Sequence, residues 1–166
     1  MNTVYLLLGG NTGLVLEHFT QAIGEINKRV GTVTAQSPIY ESEAWGFSSE
    51  LKFFNQVIVV DTLLDENQVL KDILDIERML GRIRNNCSEG YQSRPIDIDI
   101  LFYNNLICNC PDLTLPHPRL HLRRFTLSPL NDIAPQLVHP VLNKTIHELF
   151  ESCPDYSDVV LINELK

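Results

Sequence analysis

No segment of this chain is both long and apolar. The opening hydrophobic run stops at Leu8, short of a signal-peptide core, and nothing later reaches membrane-spanning length. A cytoplasmic protein with no membrane partner is therefore expected. Cysteine is scarce as well. Cys87, Cys108, Cys110 and Cys153 are irregularly spaced and include no Cys-x-x-Cys pair, which argues against a disulfide framework and against structural zinc. Reduced thiols are the simpler reading, although Cys108 and Cys110 share a strand face at their spacing and would also suit a soft metal. Net positive charge is absent: the formal charge is −8, which disfavours nucleic acid or an anionic membrane as partner. Any anionic ligand must be held by a local cluster. The usual phosphate loops are missing too. Gly9 to Gly13 lacks the Gly-Lys-Ser/Thr ending of a P-loop, and no dinucleotide-type glycine pattern occurs.

What is present is a chain of 166 residues, 44% hydrophobic and 20% charged, suited to a single domain over residues 1–166 with a sizeable core. Val4 to Leu8 reads as a buried strand closed by the glycine turn. Val15, Phe19, Ala22, Ile23, Ile26 and Val30 then recur at helical steps before Gly31. Thr32 to Tyr40 reads as one strand, Glu41 to Glu50 as a loop, and Phe53 to Thr62 as a strand in the middle of a sheet. Asp65 and Gln68 form a capping-box start for a helix with the stripe Val69, Ile73, Ile76 and Leu80, stopped by Gly81. A polar loop from Arg82 to Pro95 leads into a final strand. The order β-α-β-β-α-β predicts an α+β, ferredoxin-like core. Beyond Asn105, prolines at 111, 116, 118, 129, 135 and 140 break up any long element and predict an extension of short helices and extended pieces. A short helix over Thr145 to Cys153 is expected there, and Val159 to Ile162 reads as either an edge strand or an ordered tail.

The final strand of the core carries the strongest chemical signal. In Ser93-Arg94-Pro95-Ile96-Asp97-Ile98-Asp99-Ile100-Leu101-Phe102, two acids stand where a buried strand should be apolar. Residues two apart on a strand share a face about 6.6 Å apart, so Asp97 and Asp99 aim at one patch while Ile96, Ile98, Ile100 and Phe102 take the other face. Like charges so placed repel unless a cation lies between them, and oxygen-only ligation favours Mg²⁺ with phosphate completing its shell. A solvent-facing strand with two incidental acids is the alternative. Basic residues from Arg78 to Arg124 are all arginine: Arg78, Arg82, Arg84, Arg94, Arg119, Arg123 and Arg124. Arginine presents a fixed fork suited to phosphate, whereas an ordinary solvated surface would mix in lysine. Phe53 and Asn55 share a strand face near Trp45, an aromatic beside an amide that suits a flat heterocycle. Phe53 alone reads equally as core packing. His117 alone reads as a phosphate contact or as a turn cap.

Together these segments resemble the 6-hydroxymethyl-7,8-dihydropterin pyrophosphokinase family of folate biosynthesis, from Tyr5 through about Pro140. The resemblance is carried by Leu8-Gly9-Gly10-Asn11, Ser37-Pro38-Ile39-Tyr40, Phe54-Asn55, Gly81-Arg82-Ile83-Arg84, Ser93 to Leu101, Leu115-Pro116-His117 and Ser128-Pro129-Leu130-Asn131-Asp132-Ile133-Ala134-Pro135. It implies transfer of pyrophosphate from ATP, the co-substrate, to the pterin hydroxymethyl group with release of AMP. By the same resemblance, Asp97 and Asp99 bind two Mg²⁺ ions, and Arg82, Arg84, Arg94, His117 and Arg123 meet the phosphates, with Arg82 and Arg94 catalytic. Leu70, Ile100 and Thr114 are implied on the nucleoside. Phe53, Asn55 and Phe125, with Ser42, Ala44 and Trp45 from the preceding loop, are implied around the pterin. A monomer acting on small molecules is expected.

The chain departs from the family pattern in three places. Asn85 to Gln92 lacks the usual Arg-Trp pair, with Tyr91 standing nearest the tryptophan's place. Asp112 replaces a common arginine. Ser42-Glu43-Ala44-Trp45 replaces a proline-rich loop. Two other classes remain open from the residues themselves: a non-catalytic ferredoxin-like nucleotide or metabolite sensor, which has no need of paired metal carboxylates, and another metal-dependent phosphoryl-transfer or phosphodiester enzyme, in which the two aromatics are core.

Overall fold

β1 (Asn2–Gly10) leads into α1 (Val15–Arg29), β2 (Thr32–Gln36), β3 (Tyr40–Ser42), β4 (Phe53–Thr62), α2 (Glu66–Met79) and β5 (Asp97–Tyr103). A hairpin of β6 (Cys108–Asn109) and β7 (Thr114–Leu115) follows, then a 3-10 turn at Leu120–Leu122, α3 (Arg124–Ile133), α4 (Ile146–Glu151) and β8 (Val159–Leu161). The computed structural model describes residues 1–82 and 93–162. The main sheet has the order β5-β1-β4-β3-β8, with β2 also paired to β4, and its neighbours are antiparallel. The first and last strands of the core thus lie side by side. This is the ferredoxin-like arrangement expected from the order of elements.

Sequence pattern explains the layers. On α1, Val15, Phe19, Ala22 and Ile26 form the buried stripe against the sheet, and on α2 the stripe is Val69, Ile73 and Ile76. The α2 start has the full capping box: Asp65 accepts from the Gln68 backbone N–H, and Gln68 reaches back to the Asp65 N–H. These helices cover one sheet face, where Val4, Leu6, Leu8, Ile58, Val60, Ile98 and Ile100 form the larger core cluster. On the opposite face Leu7, Val57, Leu101 and Phe102 pack with Leu120, Leu127, Leu130, Ile146 and Leu149. That second face also positions the site.

Three elements differ from the sequence reading. The single strand expected over Thr32 to Tyr40 is two, broken at Ser37-Pro38-Ile39. Pro38 has no N–H for a ladder, and Ser37 instead bonds Val57 twice, through its backbone N–H and its hydroxyl. The prolines do not exclude a helix of useful length, because α3 runs ten residues with Pro129 inside it. Phe102 lies on the face of the aspartates rather than opposite them. β5 pairs Ile100 with Leu6 but Phe102 with Tyr5, so Leu101 is an extra, bulged residue that shifts the alternation by one. Val159–Leu161 is the edge strand of the two readings, paired to β3.

Candidate active site

The register of β1, β4 and β5 builds the floor of the site. Asp97, Gly9, Asn55 and Tyr40 lie across one row, and Asp99, Leu7 and Val57 across the next. Gly9 contributes no side chain to the first row; a Cβ there would stand 3.5 Å from Asn55 Oδ1. The row is therefore open between the acid and the amide. Over it is a slot walled by Trp45, Phe47, Phe53 and Phe125, with Asn55, Asp97 and Asp99 also lining it. Phe47 meets Phe53 edge-on at a centroid distance of 5.8 Å. Asn55 is buried, and its amide donates to Ser42 Oγ at 2.9 Å, which fixes its orientation. Arg94 stands 5.9 Å from the Phe53 ring centre, and Arg123 stands 4.6 Å from Trp45 and 5.6 Å from Phe125.

Two further hollows adjoin this slot. One is lined by Arg82, Arg94, Arg119, Arg123 and His117 together with Asp97 and Asp99. The other is lined by Leu70, Ile100, Leu113 and Thr114, with His117 and Asp99 also lining it. Asp99 lines all three.

The charges in the arginine-lined hollow are tightly arranged. Arg82 donates to Asp97 and also lies 3.5 Å from a Glu77 oxygen, while Arg94 Nε is 3.8 Å from Asp97. Glu77, buried on α2, accepts the Ile98 backbone N–H at 2.7 Å and so ties the helix to the start of the aspartate strand. The Asp99 carboxyl is raised well above the usual carboxylate range, first by burial and then by the adjacent Asp97, with Arg123 and Arg94 opposing. Crowded oxygen donors with a disfavoured negative charge fit a hard divalent cation. Among the described residues no group of three or more His, Cys, Asp and Glu forms a ready-made cage, so ligands beyond the two carboxylates would come from phosphate and water. His117 is pulled down to about 4, chiefly by burial and then by Arg123. Its Nδ1 accepts the Arg119 backbone N–H at 3.1 Å, so the neutral ring carries its proton on Nε2.

The structure brings together Asp97, Asp99, Arg82, Arg94, Arg123, His117, Phe53, Asn55, Trp45 and Phe125, and puts Leu70, Ile100 and Thr114 in the adjoining cleft. Ser42 stands behind Asn55, and Ala44 is not among the lining residues, although its neighbours Glu43 and Trp45 are. Arg84 and the loop of 85–92 lie outside the described residues. Sequence reasoning missed Glu77, Phe47 and the place of Arg119 in the hollow. For Glu77 a signal existed: it falls four residues after Ile73, on the apolar stripe of α2.

Fold and site define an α+β protein of ferredoxin-like topology with an arginine-lined cleft beside an aromatic slot. The family model described as 7,8-dihydro-6-hydroxymethylpterin-pyrophosphokinase matches residues 5–135. A Porphyromonas gingivalis 2-amino-4-hydroxy-6-hydroxymethyldihydropteridine pyrophosphokinase is 40% identical over 141 residues, covering 84% of this chain and 95% of the relative. The folic acid synthesis protein fol1 of Pneumocystis carinii is 38% identical over 92% of this chain, which spans only 20% of that longer protein. Among solved structures, a Plasmodium falciparum HPPK-DHPS crystal structure superposes with a TM-score of 0.74 over 90% of this chain and 44% of its own, at 20% identity, a likeness of fold. The chain belongs to the 7,8-dihydro-6-hydroxymethylpterin-pyrophosphokinase family, whose reaction is pyrophosphoryl transfer from ATP to hydroxymethyldihydropterin in folate biosynthesis.

Proposed function

We propose that residues 1–166 act as one Mg²⁺- and ATP-dependent pyrophosphokinase domain, a cytoplasmic monomer that releases AMP as the hydroxymethyl oxygen attacks the β-phosphorus. The observation that carries this reading is the position of Asp99 at the junction of the aromatic slot, the arginine-lined hollow and the third cleft. The pterin stacks between Phe53 and Phe125, its edge read by Asn55, with Ser42, Ala44 and Trp45 shaping that side. The nucleoside takes the cleft of Leu70, Ile100 and Thr114. Arg82, Arg94, Arg123 and His117 receive the triphosphate, joined by Arg84 on the strength of the family resemblance. Asp97 and Asp99 would hold two Mg²⁺ ions, which would supply positive charge to offset that of the triphosphate.

The chain's own contribution is positioning and charge. Stacking and the Asn55 amide orient the alcohol toward the phosphate hollow. Arg82 and Arg94 stabilise the charge that grows on the AMP leaving group, and His117 stays neutral near pH 7 and donates through Nε2. Among the described residues Cys108, Cys110 and Cys153 carry free thiols, in keeping with the cytoplasmic placement. No helix among the described residues is long and apolar enough to cross a membrane. The test is to mix the protein with Mg²⁺, ATP and 6-hydroxymethyl-7,8-dihydropterin and separate the nucleotides. AMP in equal amount to pyrophosphorylated pterin is expected; ADP, or no turnover, overturns the proposal.

A further inference from the structure

A pair of thiols lies beside the third cleft, and nothing in the proposed reaction uses it. Cys108 opens β6, Cys110 enters the turn toward β7, and their sulfurs stand 3.1 Å apart. Cys110 is exposed, while Cys108 is half-buried with its sulfur 3.6 Å from the Leu113 carbonyl. Residues two apart on an extended chain have Cα atoms about 6.6 Å apart, within the roughly 4.4–6.8 Å that a disulfide spans. Closing the bond needs the sulfurs to approach from 3.1 Å to about 2.05 Å. Cys153 is buried in the α3–α4 core cluster, away from solvent.

The turn that holds Cys110 is also a wall of the cleft. Cys110 N–H donates to the Leu113 carbonyl at 3.0 Å, and Leu113 N–H returns to the Cys110 carbonyl at 3.3 Å. Pro111, Asp112, Leu113 and Thr114 line the cleft together with Leu70. Movement of either cysteine is passed directly to those residues.

We propose that Cys108 and Cys110 form a thiol–disulfide exchange site that takes a low-molecular-weight disulfide as its substrate, and that closing the bond weakens nucleotide binding in the adjoining cleft. The second half rests on the nucleotide reading of that cleft. Exposed Cys110 attacks one sulfur of R–S–S–R as the thiolate, forming a mixed disulfide and expelling RS⁻, which takes up the proton Cys110 lost. The Cys108 thiol is held above its ordinary value, first by its hydrogen bond to Cys110 and then by burial, which leaves Cys110 as the leading sulfur. Cys108 then attacks the Cys110 sulfur, its proton passing to the second departing RS⁻. Two protein thiols are oxidised to one disulfide by two electrons, and R–S–S–R is reduced to two R–SH.

The experiment compares the reduced protein with protein incubated with glutathione disulfide. Expected are a mass loss of two hydrogens, mapped by peptide analysis to Cys108–Cys110, and binding of a non-hydrolysable ATP analogue weakened by about fivefold or more. Dithiothreitol should restore the affinity, and Cys110→Ser should bind equally in both conditions. No intramolecular bond, or a bond that leaves affinity unchanged, overturns the proposal. If the reduced protein does not bind the analogue, the nucleotide reading of the cleft and the coupling fall together, while the mass measurement still decides the exchange site.

Discussion

Asp99 is costly where it stands: burial and the neighbouring Asp97 both disfavour its charge, and only Arg123 and Arg94 offset them. Such a residue is retained for what it binds rather than for stability. Replacing Asp99 by Asn should therefore lower AMP release about a thousandfold, yet leave the urea midpoint at pH 8 unchanged or higher; a near-normal rate sinks the metal assignment. Asn55 makes the complementary case. With its amide fixed by Ser42, Asn55→Ala should raise KM for the pterin about tenfold, or about 1.4 kcal/mol, without changing KM for ATP; steady-state kinetics with each substrate varied would distinguish this from general damage. The residues legible in the sequence, Asp97, Asp99, Phe53 and Asn55, all sit on strands, where period-two alternation states which side chains share a face. Glu77 was signalled only by its place on the apolar stripe of α2, which does not say what it touches, and Phe47 lies in an irregular loop.

At the scale of elements, a buried carboxylate ties α2 to β5 in addition to their apolar packing. Glu77 accepts the Ile98 N–H and lies beside Arg82, so one side chain links the helix, the aspartate strand and the first arginine. Glu77→Ala should cost about 2 kcal/mol in denaturant unfolding, and Glu77→Gln much less, since the amide oxygen can still accept from Ile98; equal losses would show that the backbone bond is not what matters. The order of core elements was readable because α1 and α2 carry clean apolar stripes and glycine or capping signals at their ends. The break at Ser37-Pro38-Ile39 and the helix around Pro129 were not, because both depend on tertiary partners. Ser37 replaces the ladder with bonds to Val57, and α3 is held by burying Leu127 and Leu130 against the sheet. Pro38 marks the break locally, but local propensity supplies neither the Val57 partner nor the packing that holds α3.

For the whole molecule, acid is the stress the fold meets least well. His117, His121 and His139 are all held below the ordinary imidazole value, chiefly by burial, so each binds a proton more readily in the unfolded chain. Stability is then complete above the unfolded value of about 6.5 and falls as the pH drops below it; for His117 the loss levels off under about 4. Asp99 has the opposite slope, so the measurement belongs in the Asp99→Asn protein: the thermal midpoint should fall between pH 7 and pH 5, and a flat profile would count against these buried neutral imidazoles. The bulge at Leu101 bears on a different tolerance, that of chain length. Removing Ile100 would flip every earlier side chain of β5 and drive both acids into the apolar layer, and removing Ile98 would do the same to Asp97. Removing Leu101 would instead restore an unbroken ladder, with Ile100 still opposite Leu6 and Phe102 still opposite Tyr5. In a scan of single-residue deletions along β5, the bulge at 101–102 is thus where the strand can shorten and keep its two faces apart.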